Sequence, residues 1–272
     1  MRRINNNAPK GLSRQAIRIW GLLFLVAGAV GQSILMNKML GMNLDVFSAG
    51  TISKETIAQF EAFLSSSQRN TTIAIFAILS QMAYSCAIPI YTFLLVDGFR
   101  RTSRIRDYAL RLAGVAVLAE IPYNLVMSGK WLDWSSRNPM VGMVLGVGMM
   151  YFFNHYSGKK IKNILIRVMV LVLGYVWANM LRVDHGVPII FMVCILWALR
   201  KRRGFQIIGG CGMMFAIGAF PGIGTPMYWL APVVFLAINF YNDEQGEENR
   251  WFNYLSYPAM LLAVGLIATY GM

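Results

Sequence analysis

Four ionisable residues lie within or beside apolar segments of the chain, where a charged group is costly. Asp97 ends one apolar run and precedes a cluster of arginines, and Glu120 lies inside the next run, just before Pro122. Asp184 and His185 are adjacent in a short polar turn. A carboxylate or imidazole at membrane depth needs a partner or a water-filled cavity, so its presence indicates a site. These four side chains are the candidate catalytic residues, in the roles of general base or acid.

The region after Asp97 supports two interpretations. In one, Asp97 is an interfacial carboxylate that pairs with Arg100 or Arg101. In the other, the carboxylate and the arginines form an anion-binding mouth for phosphate groups, such as those of a nucleotide-containing cofactor. Arg100, Arg101 and Arg104 are then the cofactor-binding residues. The sequence alone favours neither interpretation.

A polar pocket is predicted around Glu120. Pro122 frees a backbone carbonyl, which polar groups or water must satisfy. Asn124 follows Glu120 by about one helical turn, and Asn138 precedes a glycine-rich segment. We expect Glu120, Asn124 and Asn138 to share the pocket, with the two asparagines as substrate-binding residues. A purely structural hydrogen-bond network between helices is the alternative.

The Asp184-His185 pair is predicted to be a structural turn unless a third group converges on it. We expect that the Asp184 carboxylate cannot easily fold back onto the adjacent imidazole, and a pair made by sequence adjacency is a weak sign of catalysis. Three cysteines, Cys86, Cys194 and Cys211, fall inside apolar segments without metal-ligand spacing. We expect them to pack in the core and predict no metal site.

Composition places the chain among integral membrane proteins. Of the 272 residues, 57% are apolar and 14% are charged. The net charge of +13 comes from basic clusters that lie between apolar runs, which is the pattern of membrane topology rather than of nucleic-acid binding. The lipid bilayer is therefore the expected partner, and no nucleic acid is expected.

The apolar segments predict an all-α, polytopic bundle of about nine transmembrane helices, with eight to ten as the range. A crossing needs about 20 helical residues, and segment 187–199 is short for one. The predicted segments are 17–36, 72–96, 109–128, 139–154, 164–181, 187–199, 205–220, 227–241 and 252–271.

The basic clusters predict the topology of the bundle. They place the N-terminus in the cytoplasm of a multi-pass plasma-membrane protein. Residues 1–16 are then a cytoplasmic tail, and 17–272 form a single transmembrane domain with an extracytoplasmic loop at about 37–71. Helical spacing within that loop predicts a short amphipathic helix that carries Ile57, Phe60, Phe63 and Leu64.

A resemblance to a known family rests mainly on residues 86–148. The matching positions are Ala87-Ile88-Pro89, Leu94 to Phe99, Thr102, Tyr108, Arg111-Leu112, Glu120-Ile121-Pro122 and Asn138. This pattern resembles the TraX family of bacterial membrane proteins. Members are associated with N-terminal acetylation of conjugative pilin and are grouped with multi-spanning acyltransferases that use acyl-CoA. The resemblance implies acyl-CoA (acetyl-CoA) as co-substrate and a pilin, another protein or a glycan as acceptor.

The chain departs from that family at two histidines. TraX relatives usually have an Asp-His pair in the first span, but here residues 11–44 contain neither residue type. The histidine expected after the final Tyr257-Pro258 is also missing. In addition, Asp184-His185-Gly186 stands where the family commonly has Asp-Tyr-Gly. The general base is therefore not where the family would place it.

Three functions stay open at the level of sequence. The first is an acyltransferase in which Glu120 or Asp97 replaces the missing histidine. The second is a non-catalytic scaffold or partner subunit in a conjugation, secretion or envelope assembly. The third is a small transporter with Gln32, Glu120 and Asn124 along a path through the bilayer, although no internal repeat supports it.

Overall fold

The described part of the protein is built from helices. The computed structural model describes residues 11–40, 62, 64–220, 225–245 and 250–271. In chain order its main helices are α1 (Arg14–Leu40), α2 (Gln68–Arg101), α3 (Ile105–Ser128), α4 (Pro139–His155), α5 (Ile161–Met180), α6 (Gly186–Ala198), α7 (Arg203–Ala219), α8 (Pro226–Asn239) and α9 (Arg250–Tyr270). Each predicted apolar segment coincides with one of these helices. The second part of α1 is π-helical, and α8 begins as a 3-10 helix.

Five helices in the described ranges are long and apolar enough to cross a membrane: α1, α2, α3, α5 and α9. Helices α6 and α8 are apolar but shorter. Apolar side chains are exposed along helices such as α5, where lipid rather than water would be a favourable environment. These features are those of a polytopic helical membrane protein. The count of nine crossings stays a prediction.

The first helix begins earlier than predicted. Ser13 caps it by accepting a hydrogen bond from the backbone N–H of Ala16 at 3.2 Å, so Arg14 already belongs to the helix. The helix also continues to Leu40, and α2 begins at Gln68. The helices α1 and α2 thus extend into the ranges predicted as the tail 1–16 and the loop 37–71, whose positions relative to the membrane stay predictions. Most of the predicted amphipathic helix lies outside the described residues.

Close packing of α1 against α2 sets the position of the functional side chains. A Cβ atom on Gly28 would lie 2.4 Å from the Cβ of Tyr84, and one on Gly31 would lie 2.4 Å from the Cβ of Ser80. Only glycine permits this approach, as in other small-residue helix contacts in membranes. The contact holds Tyr84 in the interior of the bundle.

The bundle has two distinct ends. At the arginine-rich end, α1 begins at Arg14 and α2 ends at Arg101. At the opposite end, here called the turn end, segments 129–138 and 181–185 connect helices. There the backbone N–H of Arg137 donates to the carbonyl of Arg182 at 2.9 Å, and that of Asp184 donates to the carbonyl of Arg137 at 2.8 Å. These bonds join the two connections into one polar layer.

The three cysteines pack as expected within helices. Cys86 is buried in α2, and Cys194 and Cys211 are partly buried in α6 and α7, all as free thiols. Groups of three or more metal-ligating side chains are not found in the described ranges.

Candidate functional site

Asp97 is the centre of a saturated charge network at the arginine-rich end. Its side chain is buried, and Arg14 Nη2 lies 2.8 Å from Oδ2. Arg101 Nε lies 3.0 Å from Oδ2 and 3.1 Å from Oδ1, and the Tyr241 hydroxyl donates to Oδ2 at 3.0 Å. Burial, and then the Asp97 charge, raise the pKa of the Tyr241 phenol, which keeps it a donor. Asp97 therefore has the hydrogen bonds that a buried carboxylate needs.

Sequence reasoning identified only part of this network. Arg101 pairs with Asp97, as one interpretation expected, because the two are one helical turn apart. Arg14 was missed, since it comes from the start of α1, far away in sequence. Arg100 and Arg104 are exposed, and Arg104 is 4.0 Å from Asp107. The structure therefore separates Arg101 from the other two predicted cofactor-binding residues.

A cavity of about 430 Å³ runs inward from this network. Arg14, Arg18, Arg101 and Arg111 line its basic part, and apolar and aromatic side chains of α1 to α4 and α9 line the rest. Tyr84 is also a lining residue. The stretch of α2 from Tyr84 to Arg101 is roughly 25 Å long at the rise of an α-helix. The lining residues of α2 are thus spread over a length comparable with the thickness of a hydrocarbon core, which is about 30 Å.

His185 lies directly behind the inner part of the cavity. Its imidazole ring is 4.9 Å from the Tyr84 ring, centre to centre. Its Nδ1 shares a hydrogen bond with the hydroxyl of Tyr228 in α8, and its Nε2 is 3.6 Å from Asp184 Oδ1. The expectation that Asp184 cannot fold back was therefore wrong. Tyr228 is a third group that converges on the Asp184-His185 pair, which is the condition under which the sequence predicted a functional site.

The backbone of the turn explains why the two side chains meet. Arg182 and His185 both have φ of 52°, the left-handed conformation that is uncommon for residues other than glycine. The Gly186 N–H closes the turn on the carbonyl of Val183 at 3.0 Å. This tight winding brings the Asp184 carboxylate back towards the ring. Left-handed residues held by surrounding structure are frequent at functional sites.

Four buried tyrosines interact with the Asp184 carboxylate at the turn end of the bundle. The carboxylate interacts electrostatically with the hydroxyl groups of Tyr84, Tyr123, Tyr228 and Tyr257, which come from four helices. We call these residues, with Asp184 and His185, the tyrosine cluster. Sequence reasoning missed it. The available signal was the presence of tyrosines in apolar helices, because a buried phenol hydroxyl usually has a polar partner.

Glu120 forms a second polar contact at the turn end. Its Oε1 is 3.1 Å from Arg137 Nη1, and its Oε2 accepts a bond of 2.5 Å from Asn138 Nδ2. Asn138 also donates to the carbonyl of Ala116 at 2.8 Å and caps α4 through the N–H of Met140. Asn138 is thus a structural link between α3 and α4.

Asn124 does not complete this pocket. It is buried on α3, but in the described part of the chain the Glu120 carboxylate is held by Arg137 and Asn138. The predicted contact of Glu120 with Asn138 is therefore confirmed, whereas no hydrogen bond joins Glu120 to Asn124 in the described ranges. Helical spacing alone suggested Asn124, whereas the bond to Asn138 depends on how the connection 129–138 folds.

Some buried polar atoms close to the cavity have no hydrogen-bond partner within the described ranges. They are Asp184 Oδ2, Asn253 Oδ1 and the Tyr257 hydroxyl. Asn253 and Tyr257 line the cavity from α9, one helical turn apart. Unsatisfied buried polar atoms are rare in proteins and call for an explanation, such as a ligand.

The fold and the site define a class: polytopic helical membrane proteins with a cavity that extends from a basic mouth to buried tyrosines, Tyr84 and Tyr257. Comparison with known families is more specific. The family model described as TraX protein matches residues 39–268. The chain belongs to the TraX family, as the resemblance of residues 86–148 predicted. No curated protein and no solved structure matches the chain.

Proposed function

We propose that the protein is an acyltransferase that uses acyl-CoA, with acetyl-CoA as the simplest donor, to modify a protein N-terminus or a glycan. The observation that carries the proposal is the cavity, which connects a set of arginines with the tyrosine cluster. A donor with an anionic head and a long, thin arm that ends in a reactive group matches this shape. Membership of the TraX family supports the same function.

The arginines would hold the phosphate groups of the donor. Guanidinium groups bind phosphate oxygens with paired hydrogen bonds. Arg111 is exposed at the cavity, where its Nε donates to the Asp107 carbonyl at 3.1 Å, so its remaining donors face outward. The arm then extends along α2, and the acyl group reaches the inner part of the cavity near Tyr84. Donor and acceptor thus approach from opposite ends of the bundle.

His185 supplies the base that the family's missing histidines would have supplied. Asp184 faces Nε2 and favours the tautomer that carries a proton there, which leaves Nδ1 as the acceptor. The acceptor amine or hydroxyl loses its proton through the Tyr228 hydroxyl to Nδ1 and attacks the thioester carbonyl. A new C–N or C–O bond forms, the C–S bond breaks, and the thiolate leaves with the proton returned by His185.

The arrangement implies a direction across the membrane. The positive-inside rule places the arginine-rich end in the cytoplasm, where acyl-CoA is made, and the N-terminus on the same side. The turn end then faces the outside of the plasma membrane. Acyl groups would cross the bilayer inside the protein while the donor stays bound from the cytoplasmic side.

The first test is binding of acetyl-CoA to the purified protein in nanodiscs, followed by transfer of a labelled acetyl group to a membrane extract. We expect saturable binding that Arg111→Gln weakens about tenfold, as loss of a charged hydrogen bond predicts. Arg106→Gln is the matched control, because Arg106 is exposed in the same helix and does not line the cavity. Absence of binding to folded wild-type protein would refute the donor assignment.

A non-catalytic scaffold is the second candidate, because both histidines expected from the family are absent. In that case the cavity would serve partner assembly or ligand sensing rather than chemistry. Acetyl-CoA binding without any label transfer, to either protein or glycan fractions, would favour this function over the first.

A further inference from the structure

The Tyr257 side chain combines deep burial with an unsatisfied hydroxyl. It is 9% exposed, and the hydroxyl oxygen has no hydrogen-bond partner within the described ranges. A buried hydroxyl without a partner destabilises the folded protein. Phenylalanine would avoid that cost with the same ring. The hydroxyl is therefore best explained by a partner that binds and leaves.

Tyr257 is placed where the reactive group of a bound donor would lie. It lines the cavity and packs in one apolar cluster with Tyr84, Ala87 and Leu25. It also interacts electrostatically with Asp184, as the other tyrosines of the tyrosine cluster do. The hydroxyl is thus a hydrogen-bond donor at the inner part of the cavity, in apolar surroundings that strengthen such a bond.

We propose that the Tyr257 hydroxyl donates a hydrogen bond to the carbonyl oxygen of the thioester, an inference that rests on the acyl-transfer function proposed above. During attack by the acceptor, that oxygen gains negative charge as the carbonyl carbon becomes tetrahedral. A donor fixed at the oxygen stabilises this charge and releases it when the C–S bond breaks. Tyr257 is then a catalytic residue that touches the reacting group, separate from the proton transfer at His185.

The neighbouring residue Asn253 fits the same ligand. Its Oδ1 also has no partner in the described chain, and it lies one helical turn nearer the start of α9. A side-chain carbonyl there accepts an N–H group. An acyl thioester on an amide-containing arm offers both an acceptor for Tyr257 and a donor for Asn253, whereas a plain lipid chain offers neither.

The test compares two ligands that differ only at the carbonyl: acetyl-CoA and its thioether analogue S-ethyl-CoA. We expect wild-type protein to bind acetyl-CoA about fivefold more tightly, as one hydrogen bond predicts. Tyr257→Phe should bind the two ligands equally and keep the wild-type affinity for S-ethyl-CoA. Tyr91→Phe is the control: Tyr91 lines the same cavity, but its hydroxyl lies 3.5 Å from the Arg18 carbonyl, so the preference should persist.

The rate gives a second readout. Tyr257→Phe should lower the rate of acetyl transfer about 10²- to 10³-fold at saturating donor, as for other oxyanion donors. A Tyr257→Phe protein that keeps the carbonyl preference or the wild-type rate would overturn the inference. So would a wild-type protein that binds both ligands equally. Failure of wild-type protein to bind either ligand refutes the proposed function instead, so the two failures are distinguishable.

Discussion

The two polar regions of the bundle differ in how their buried groups are satisfied. At the arginine-rich end, both oxygens of Asp97 are bonded, to Arg14, Arg101 and Tyr241. In the tyrosine cluster, one Asp184 oxygen and the Tyr257 hydroxyl have no hydrogen-bond partner in the described ranges. The Asp97 carboxylate is thus satisfied within the protein, whereas the Asp184 carboxylate and the Tyr257 hydroxyl are not. At the arginine-rich end, Arg203 Nη1 also has no hydrogen-bond partner in the described ranges, although Arg203 Nη2 lies 3.4 Å from Asp243 Oδ2.

This difference separates a structural role from a chemical one. A carboxylate that is bonded to two arginines and a tyrosine fixes helices and orients the neighbouring arginines. Groups left without partners are available for substrate. The bonds of Asp97 make this candidate base an anchor of the basic mouth, and the proposed mechanism therefore assigns the role of base to His185.

The largest expected effect on stability comes from removing the Asp97 carboxylate at the arginine-rich end. Asp97→Ala leaves Arg14 buried without its carboxylate, and loss of one partner of a buried pair costs about 3–5 kcal/mol. We expect loss of folded protein, measured by thermal unfolding in detergent. Asp107→Asn is the control, because the exposed pair of Asp107 with Arg104 contributes about 0.5 kcal/mol or less. Comparable stability of the two variants would show that the network is not structural.

For His185→Asn we expect the opposite of Asp97→Ala: a loss of activity without a loss of stability. Asparagine tolerates the left-handed backbone of residue 185, so the turn should fold and the melting temperature should change little. Acetyl transfer should fall about 10²- to 10⁴-fold, as for loss of a general base. An unchanged rate of acetyl transfer in a folded variant would show that His185 is not the base, and Glu120 or Asp97 would then be the candidates.

Glu120 tests whether the second carboxylate belongs to the chemistry. Glu120→Gln keeps an acceptor oxygen for only one of the two donors, Arg137 and Asn138, and removes the charge, so we expect a loss of roughly 1–3 kcal/mol in stability and nearly full transfer activity in the folded protein. Unfolding by denaturant and the transfer assay measure the two quantities. Abolished transfer with intact stability would identify Glu120 as a base.

The smallest expected effect is a change in acetyl-CoA affinity at the basic mouth. Asp243 is exposed and lies 3.0 Å from Arg101 Nη2, where it competes with an anionic ligand. Asp243→Asn should tighten acetyl-CoA binding about two- to threefold at low salt and less at high salt, as screening predicts. Calorimetry at two salt concentrations measures this, with Glu244→Gln as the control of equal charge. Unchanged or weaker binding would show that Arg101 does not contact the ligand.

The helices were predictable because their signals are local. Apolar length, proline and glycine positions and basic flanks set the helix positions within a few residues. The start of α1 was missed because Arg14 looks too polar for a buried helix, and only the contact with Asp97 makes it acceptable.

The site was less predictable because its contacts are not local. His185 and Tyr228 are separated by two helices, α6 and α7, and the Asp184 carboxylate reaches the ring only because the non-glycine residues Arg182 and His185 adopt a left-handed backbone. Glu120 and Asn138 were grouped correctly because their residue types stand out in apolar surroundings. The tyrosines did not stand out in the sequence, because a tyrosine in a membrane helix is commonly an ordinary packing residue.

The pairing between the start of α1 and the segment after α8 has a consequence for biogenesis. The Leu12 N–H donates to the Phe240 carbonyl at 2.7 Å, and the Arg14 N–H donates to the Glu244 carbonyl at 2.9 Å. Synthesis proceeds from the N-terminus, so α1 and α2 are made long before residues 240–245 emerge from the ribosome. The basic mouth is therefore assembled late, and a nascent chain that stops after α7 lacks the Tyr241 and Asp243 contacts that complete it.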